Sequence, residues 1–558
     1  MQTLMVLTIA IFLCPAIARA QTYYMALNPG PGGEWGNSSN YNDGLAKANP
    51  FLTLQYAMSK MTSGDTLIIA DGEYTTSNNT IWQFNYPPSG PGTGTGDERF
   101  TVIRAENIPG INGVPCNQPL KVKFSGDAKF SDQAGLAGPH VSWVKFWGIR
   151  WEGIGTGSYW DHIYFKQVAS HGIADGNTTT FSITGQYNLL EDCIAFGKGR
   201  YKFLFYDNSR ENQTRGPGNN LCRRCISRQD WAKKEDPTPD PIAGFCSYYN
   251  RGSGFLNCVI IDSDLPSEWM NDPTELAGAF YQPVDEGPHS MIMKGCIVVN
   301  TAMAAYLNRQ GSSGHVIEDF AGIHLAGGLG LQGSTDADRV TLVDLGVDNF
   351  VYRSTTQVST VLIPDDGVNS FRGDIPSTFH DSIISDTKDD GMDELANIAN
   401  DYIQMYAIKG STYSWPSSAQ PPHFYYSNPQ DDGLRYPLRI ESNSALSSRG
   451  STGGQIGARI THRLGIDGTF KGEPNWDTEQ QVSLWPWPLE DWIKSEMKTS
   501  QYTPNPQRGF CAEGTGLNGS PITLTSYLWE YLGSPCPDEI YGSSDTTPPE
   551  APKNLTIK

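Results

Sequence analysis

The chain has 558 residues and a formal net charge of −20, with 40 Lys and Arg against 60 Asp and Glu. Its 59 Gly and 37 Pro mark a turn-rich chain, and 14 Trp, 26 Tyr and 22 Phe exclude a disordered one. An acidic chain is a poor general nucleic-acid binder, and past residue 20 no apolar run approaches the roughly 18 residues of a membrane span.

Met1 to Ala20 reads as a secretory leader. Leu4–Leu13 is almost unbroken apolar, and Ala18-Arg19-Ala20 supplies small residues for cleavage before Gln21, although no Lys or Arg precedes the apolar stretch. Cys14 is followed by Pro15, which argues against a lipid anchor. The mature chain is expected outside the cytoplasm, secreted or at the cell surface. Nine cysteines remain after cleavage, an odd number, so at least one thiol is free or pairs outside the chain.

A helical cap comes next. Leu54, Ala57, Met58 and Met61 recur at i, i+3, i+4 and i+7, one face of a short helix over about 50–62. Gly64-Asp-Thr-Leu-Ile-Ile-Ala-Asp-Gly-Glu-Tyr74 is a turn, a buried strand and a second turn. Short strands then recur between Gly, Asn and Asp, as at Val141–Phe146, Asp161–Phe165 and Phe181–Thr184. Four segments share one pattern: Asn188-Leu-Leu-Glu-Asp-Cys193-Ile, Asn220-Leu-Cys-Arg-Arg-Cys225-Ile, Gly254-Phe-Leu-Asn-Cys258-Val and Met291-Ile-Met-Lys-Gly-Cys296-Ile. The thiols lie 32, 33 and 38 residues apart, the spacing of a solenoid in which each repeat is one coil. Stacked coils put these cysteines in one internal column as small apolar groups. Cys222-x-x-Cys225 lacks the second close pair that zinc requires.

The fold expected is an all-β solenoid, a right-handed parallel β-helix over 21–470, with an N-terminal helical cap and an irregular, partly helical, Trp-rich C-terminal cap over 471–540. The cap tryptophans are expected to cover the last coils. Within that cap, Cys511 and Cys536 are spaced to form a disulfide or to stay free. The helix followed by Gly64-Asp-Thr-Leu-x-x-x-x-Gly-x-Tyr74 resembles the entry to secreted β-helix proteins of the pectate lyase-like superfamily, which includes pectate, alginate and chondroitin lyases and polygalacturonases. Residues 541–558, with Thr546-Thr-Pro-Pro-Glu-Ala-Pro, resemble a linker and the first strand of a bacterial fibronectin type III module.

Charge is distributed unevenly. Between Lys198 and Lys234 ten Lys and Arg face three acids, a net +7 in 37 residues. Aligned on successive coils, this window would form a basic, aromatic-edged strip suited to an acidic polysaccharide; its other reading is a face that meets the protein's own acidic loops. The resemblance implies β-elimination on uronate chains. On that basis Lys202 or Arg224 is the candidate base, Arg200 and Arg228 are carboxylate clamps, and Tyr201, Arg223 and Trp231 are further binding residues. Asp230 would orient a guanidinium. Either Glu235, Asp236 and Asp240 or, on the next coil, Asp262 and Asp264 offer carboxylates to Ca²⁺.

The Asn-x-Asp, Asp-Asp and Gly-His-Gly pattern of polygalacturonases is absent, as is the Asn-Gly-Glu signature of alginate lyases of this fold. His162 and His171 read as coil-corner residues rather than general bases. Two function classes follow: a polysaccharide lyase-like enzyme, or a non-catalytic glycan-binding or matrix protein.

Overall fold

The structure, a computed structural model, describes residues 20–82, 85–131, 140–157, 159–174, 178–206, 218–230, 243–248, 250, 252–263, 280–282, 290–307, 313–331, 334–345, 361–362, 377–387, 398–406, 422–503 and 505–541. The leader, the fibronectin-like tail, Trp231, Glu235, Asp236, Asp240 and Asp264 lie outside the described residues.

The chain winds as a right-handed parallel β-helix. Each coil contributes one strand to each of three sheets. One coil supplies Leu189–Glu191, Ile194–Gly197 and Tyr201–Tyr206; the next supplies Leu221–Arg223, Ile226–Gln229 and Ala243–Tyr248. Pairing is parallel and in register. Leu190, Cys222, Phe255 and Met293 align in the first sheet, Ile194, Ile226, Val259 and Ile297 in the second, and Phe181, Phe203, Phe245 and Phe280 in the third. These phenylalanines stack at 5.0, 4.8 and 5.1 Å between centroids, close to the coil spacing itself.

One residue turns the chain from the first sheet to the second. Gly148, Gln167, Asp192, Arg224, Asn257, Gly295, Asp319, Arg339, Asp381 and Tyr402 occupy this corner on successive coils, and all have φ between 49° and 71°. Gly, Asn and Asp adopt this conformation most readily. Arg224 and Arg339 are poorly suited to it, and each is tied to the aspartate of the preceding corner, Arg224 Nε to Asp192 at 2.6 Å and Arg339 Nε to Asp319 at 2.9 Å. The side chain after the corner points into the core, which is why Cys193, Cys225, Cys258 and Cys296 form a column, continued by Val168 before and by Phe320 and Val340 after, all fully buried. The thiols donate to carbonyls of the coil before: Cys193 to Phe165, Cys225 to Leu190 and Cys296 to Phe255, at 3.3–3.4 Å. All nine described cysteines are free, Cys511 and Cys536 included.

The entry to the first sheet has its own buried polar ladder. Asn188 Oδ1 accepts from the Ile163 amide at 3.0 Å, and Asn220 Oδ1 accepts from the Asn188 amide at 2.9 Å. The N-terminal helix Leu54–Lys60 packs Leu54, Ala57 and Met58 inward, with Thr53 capping Tyr56 N.

The C-terminal region carries the expected short capping helices, Glu490–Met497 and Leu524–Trp529, but its tryptophans reach well beyond the last coils. Trp485, Trp487, Trp492 and Trp529 pack with Ile194, Ile226, Val259, Ile297 and Ala321. They therefore cover the outer face of the second sheet along the flank of the stack. Buried on both faces, that sheet reads as nearly continuous apolar strands, Val259-Ile-Ile261 and Ile297-Val-Val299. Among the described residues no helix is long and apolar enough to cross a membrane.

Replacing Asn220 with Ala is expected to cost about 1–3 kcal/mol, because it leaves the buried Asn188 amide unsatisfied; denaturant unfolding reads this as a lower midpoint, and an unchanged midpoint would contradict the ladder.

Candidate functional site

Among the described residues, the arginines of the basic window at 223, 224 and 228 do not form a surface strip. Arg223 and Arg224 end the first sheet and start the corner, Arg228 lies on the outer face of the second sheet, and Arg200 precedes the third. Arg223, Arg224, Arg228 and Asp230 are at most 1% exposed, covered by the C-terminal region. Arg228 donates to Met497 O at 2.7 Å and Pro506 O at 3.1 Å and pairs with Asp230 at 2.8 Å; Arg508 closes on the same carboxylate at 2.8 Å. These groups meet the protein's own acids and carbonyls, so they are corrected from substrate clamps to internal ties.

The two candidate bases fare likewise. Burial pulls the Arg224 guanidinium down, but Asp192, Asp467 and Glu191 outweigh it and hold it above its ordinary value, which removes it as a base. Burial, opposed by Asp230, lowers Lys202 to about 7. That amine is fully buried, donating to Lys198 O at 2.6 Å and Gly199 O at 3.0 Å, out of a polymer's reach. Arg200 lies over the Tyr201 ring at 4.6 Å. Tyr201 itself packs with Leu204, Ala243, Cys246 and Tyr281.

Three carboxylates do converge. Glu191, Asp192 and Asp467 each bring one oxygen within 4.8 Å of the others, a group that could coordinate a metal ion such as Ca²⁺. The Lys166 ammonium already sits on all three, at 2.5, 2.5 and 3.2 Å, and Arg223 and Arg224 hold further oxygens at 2.6 Å each. A metal ion there has to displace the ammonium. Asp262 is corrected from a metal ligand to a corner anchor: its oxygens accept from Asn300 Nδ2 at 2.7 Å, Tyr527 OH at 2.9 Å and Phe510 N at 3.1 Å.

A different surface has the form of a ligand site. At the corner that enters the first sheet, Trp143, His162, Tyr187 and Asn219 follow one another on successive coils, with φ of 56°, 51°, 53° and 47°. Repeating one conformation at coil spacing stacks their side chains. Trp143 and His162 lie 4.1 Å apart at 14°, and His162 and Tyr187 lie 5.3 Å apart at 9°. The rings cover one another's faces and present their edges; Tyr187 ends the stack because the next corner carries Asn219. Facing them is the segment Phe470–Trp476. A groove of about 490 Å³ runs between, lined by His162, Tyr187, Asn219, Lys471, Glu473 and Trp476 among others.

Arg223 builds the far wall. From beneath, its guanidinium donates to Ile466 O at 2.9 Å, Trp476 O at 2.8 Å and Thr469 O at 3.2 Å while pairing with Glu191. Gly465 lets it approach: φ there is 74°, and a β-carbon would meet Trp476 O at 2.1 Å and Arg223 Nη2 at 2.6 Å. Glu473 braces the wall's other end, pairing with Arg99 at 2.5 Å; that guanidinium lies 4.4 Å over Trp143. Within the groove, burial lowers the Lys471 ammonium to about 8, against the pull of Asp477.

The sequence reading made Arg223 a substrate-binding residue; the structure buries it beneath the groove wall. The ring stack was visible as the residue two positions before each first-sheet register point. No local signal joins it to a wall some 300 residues later.

No family model and no curated protein matches the chain. Solved structures that resemble it include the pectate lyase Pel9A, 14% identical, covering 79% of this chain and 97% of that one with a TM-score of 0.37. The PL6 alginate lyase AlyGC is 11% identical over 75% of this chain and 58% of that one, TM-score 0.35. XylC, determined in complex with xylose, is 9% identical over 83% of this chain and 97% of that one, TM-score 0.35. Likeness this distant assigns no residue a role.

Arg223→Met removes one of the three cations that balance the buried Glu191, Asp192 and Asp467 carboxylates and unpins three carbonyls. The expected loss is about 3–5 kcal/mol, with faster proteolysis in 466–476 than elsewhere; uniform protection of that segment would contradict the wall assignment.

Proposed function

We propose that this is a secreted carbohydrate-active protein whose groove takes an acidic, uronate-containing polysaccharide and cleaves it by β-elimination. The observation that carries the reading is the groove's composition: aromatic edges and a terminal ring on one side, with Lys471 and Trp476 on the other. Sugar rings pack their apolar faces against aromatic groups, and an ammonium among such groups is the partner a uronate carboxylate needs. A partly desolvated ammonium is a stronger partner than an exposed one. Neutralising that carboxylate acidifies the adjacent C5 proton, the one that β-elimination removes. The leader expected over residues 1–20 supports export to where such polymers occur.

The sign of the pH dependence follows from Lys471. Its charged form prevails below about 8 and is lost above it, so affinity for an oligouronate is expected to fall as pH rises through that value. Lys471→Met should lose affinity at pH 7 by about tenfold or more, equivalent to the roughly 1.5–3 kcal/mol of a charge-assisted contact, and should flatten the pH dependence. Calorimetric titration with oligogalacturonate and oligoalginate measures both. Equal affinity of wild type and variant would remove the groove as the binding site. Ultraviolet absorbance of unsaturated ends tests cleavage; binding without product would assign the non-catalytic glycan-binding class.

A further inference from the structure

His162 has more built around it than a coil corner requires. Its ring is held between Trp143 and Tyr187, with Phe470 edge-on at 5.2 Å and 69°. Its Nδ1 lies 2.8 Å from Asp161 Oδ1, and the other oxygen of that carboxylate lies 2.6 Å from His140 Nε2. An ionised carboxylate only accepts, so Nδ1 carries the proton and donates it, which leaves the lone pair of the neutral ring on Nε2. Ring packing fixes the plane, and the Asp161 bond fixes the tautomer. Filling the stack requires only a flat ring, which Trp143 and Tyr187 supply without such a partner. His162 also lines the groove, about a quarter exposed (27%), unlike His171, which is buried with Nδ1 on Arg150 at 3.0 Å.

We infer that His162, oriented by Asp161, is the proton-transfer residue of the groove and acts as the base in the elimination. This inference rests on the function proposed above and names the group that carries out its chemistry. In the step, Nε2 takes the C5 proton of a uronate whose carboxylate is held by Lys471. The C5 electrons form the C4=C5 double bond, the bond from C4 to the glycosidic oxygen breaks, and the departing oxygen takes the proton that His162 now holds. Atoms and charge balance with no added reactant, and the imidazole returns to its starting form. Asp161 stays ionised throughout, holding Nδ1–H and stabilising the transient imidazolium, and His140 steadies its second oxygen. The charged and titratable groups about His162 are Asp161 and His140 on its own side and Glu473 and Lys471 across the groove, with Arg99 over the neighbouring Trp143 ring.

The test uses the full chain and two variants. His162→Gln removes the base, and His162→Phe keeps a ring in the stack without a nitrogen. In both, the turnover for unsaturated product is expected to fall by about 10²–10⁴, well beyond any change in affinity for oligouronate, with His162→Phe the better binder of the two. Asp161→Asn, which inverts the tautomer preference, is expected to lower kcat with KM little changed and to shift the pH–rate profile, a readout that a packing role does not move. Wild-type turnover in either His162 variant would overturn the inference alone. Absence of product from the wild type with every uronate polymer tried would overturn the elimination reading and this inference with it.

Discussion

In-register stacking of the coils is the constraint on which everything else depends. The strand amides of a coil are satisfied by the coil beside it, so corners of one conformation must recur at the same height in every turn. That repetition converts distance along the chain into adjacency in space. Cys193 and Cys225 become neighbours through it, and so do His162 and Tyr187, although each pair is separated by a whole coil of sequence. It also places left-handed residues on the surface at regular intervals, where their side chains stand out from the stack and pile up. The ring stack is therefore a by-product of the same geometry that makes the core.

Charge follows the same rule. Lys166, Glu191 and Arg223 occupy one register position on three successive coils, giving alternating signs along the stack, and Lys294, Glu318, Asp338 and His380 continue the edge farther on. A buried column of like charge would not survive desolvation; Glu191 is paired by Lys166 and Arg223 on either side, and where the acids Glu318 and Asp338 adjoin, Arg339 pairs with both. The C-terminal region adds Asp467 to this column and lays its backbone carbonyls on Arg223. Among the described cations of that window, Arg223, Arg224 and Arg228 are taken up inside the molecule by Glu191, Asp192, Asp230, Asp467 and main-chain oxygens. The ionic network fixes the wall, and the wall makes the groove.

Much of the fold was legible from the chain alone, for physical reasons. The thiol spacing, the single cap helix and the short strands between turn residues are local patterns with one economical reading. The polar ladder was also present as Asn188 and Asn220 at the head of their segments. The site was less legible. A cluster of arginines looks the same in sequence whether it faces a polymer or a strap folded back from residue 460 onward, because the difference lies in long-range packing. Arg228 illustrates it: its partners Met497 and Pro506 are some 270 residues away. The tryptophans around 485–492 were readable as a cover, but their helix carries no mark of whether it caps the end of a stack or lies along its side. His162 looked like an ordinary corner residue, which it is; its aspartate, its flanking rings and the opposed wall come together only in three dimensions.

The central claim is that the space between the ring stack and the Phe470–Trp476 wall is where saccharide binds. A crystal structure of the protein soaked with a short oligouronate tests it most directly. The account predicts sugar density between Tyr187 and Trp476, with a carboxylate on the Lys471 ammonium. Density confined to the outer face of the third sheet around Tyr201, with this groove holding only solvent, would contradict it.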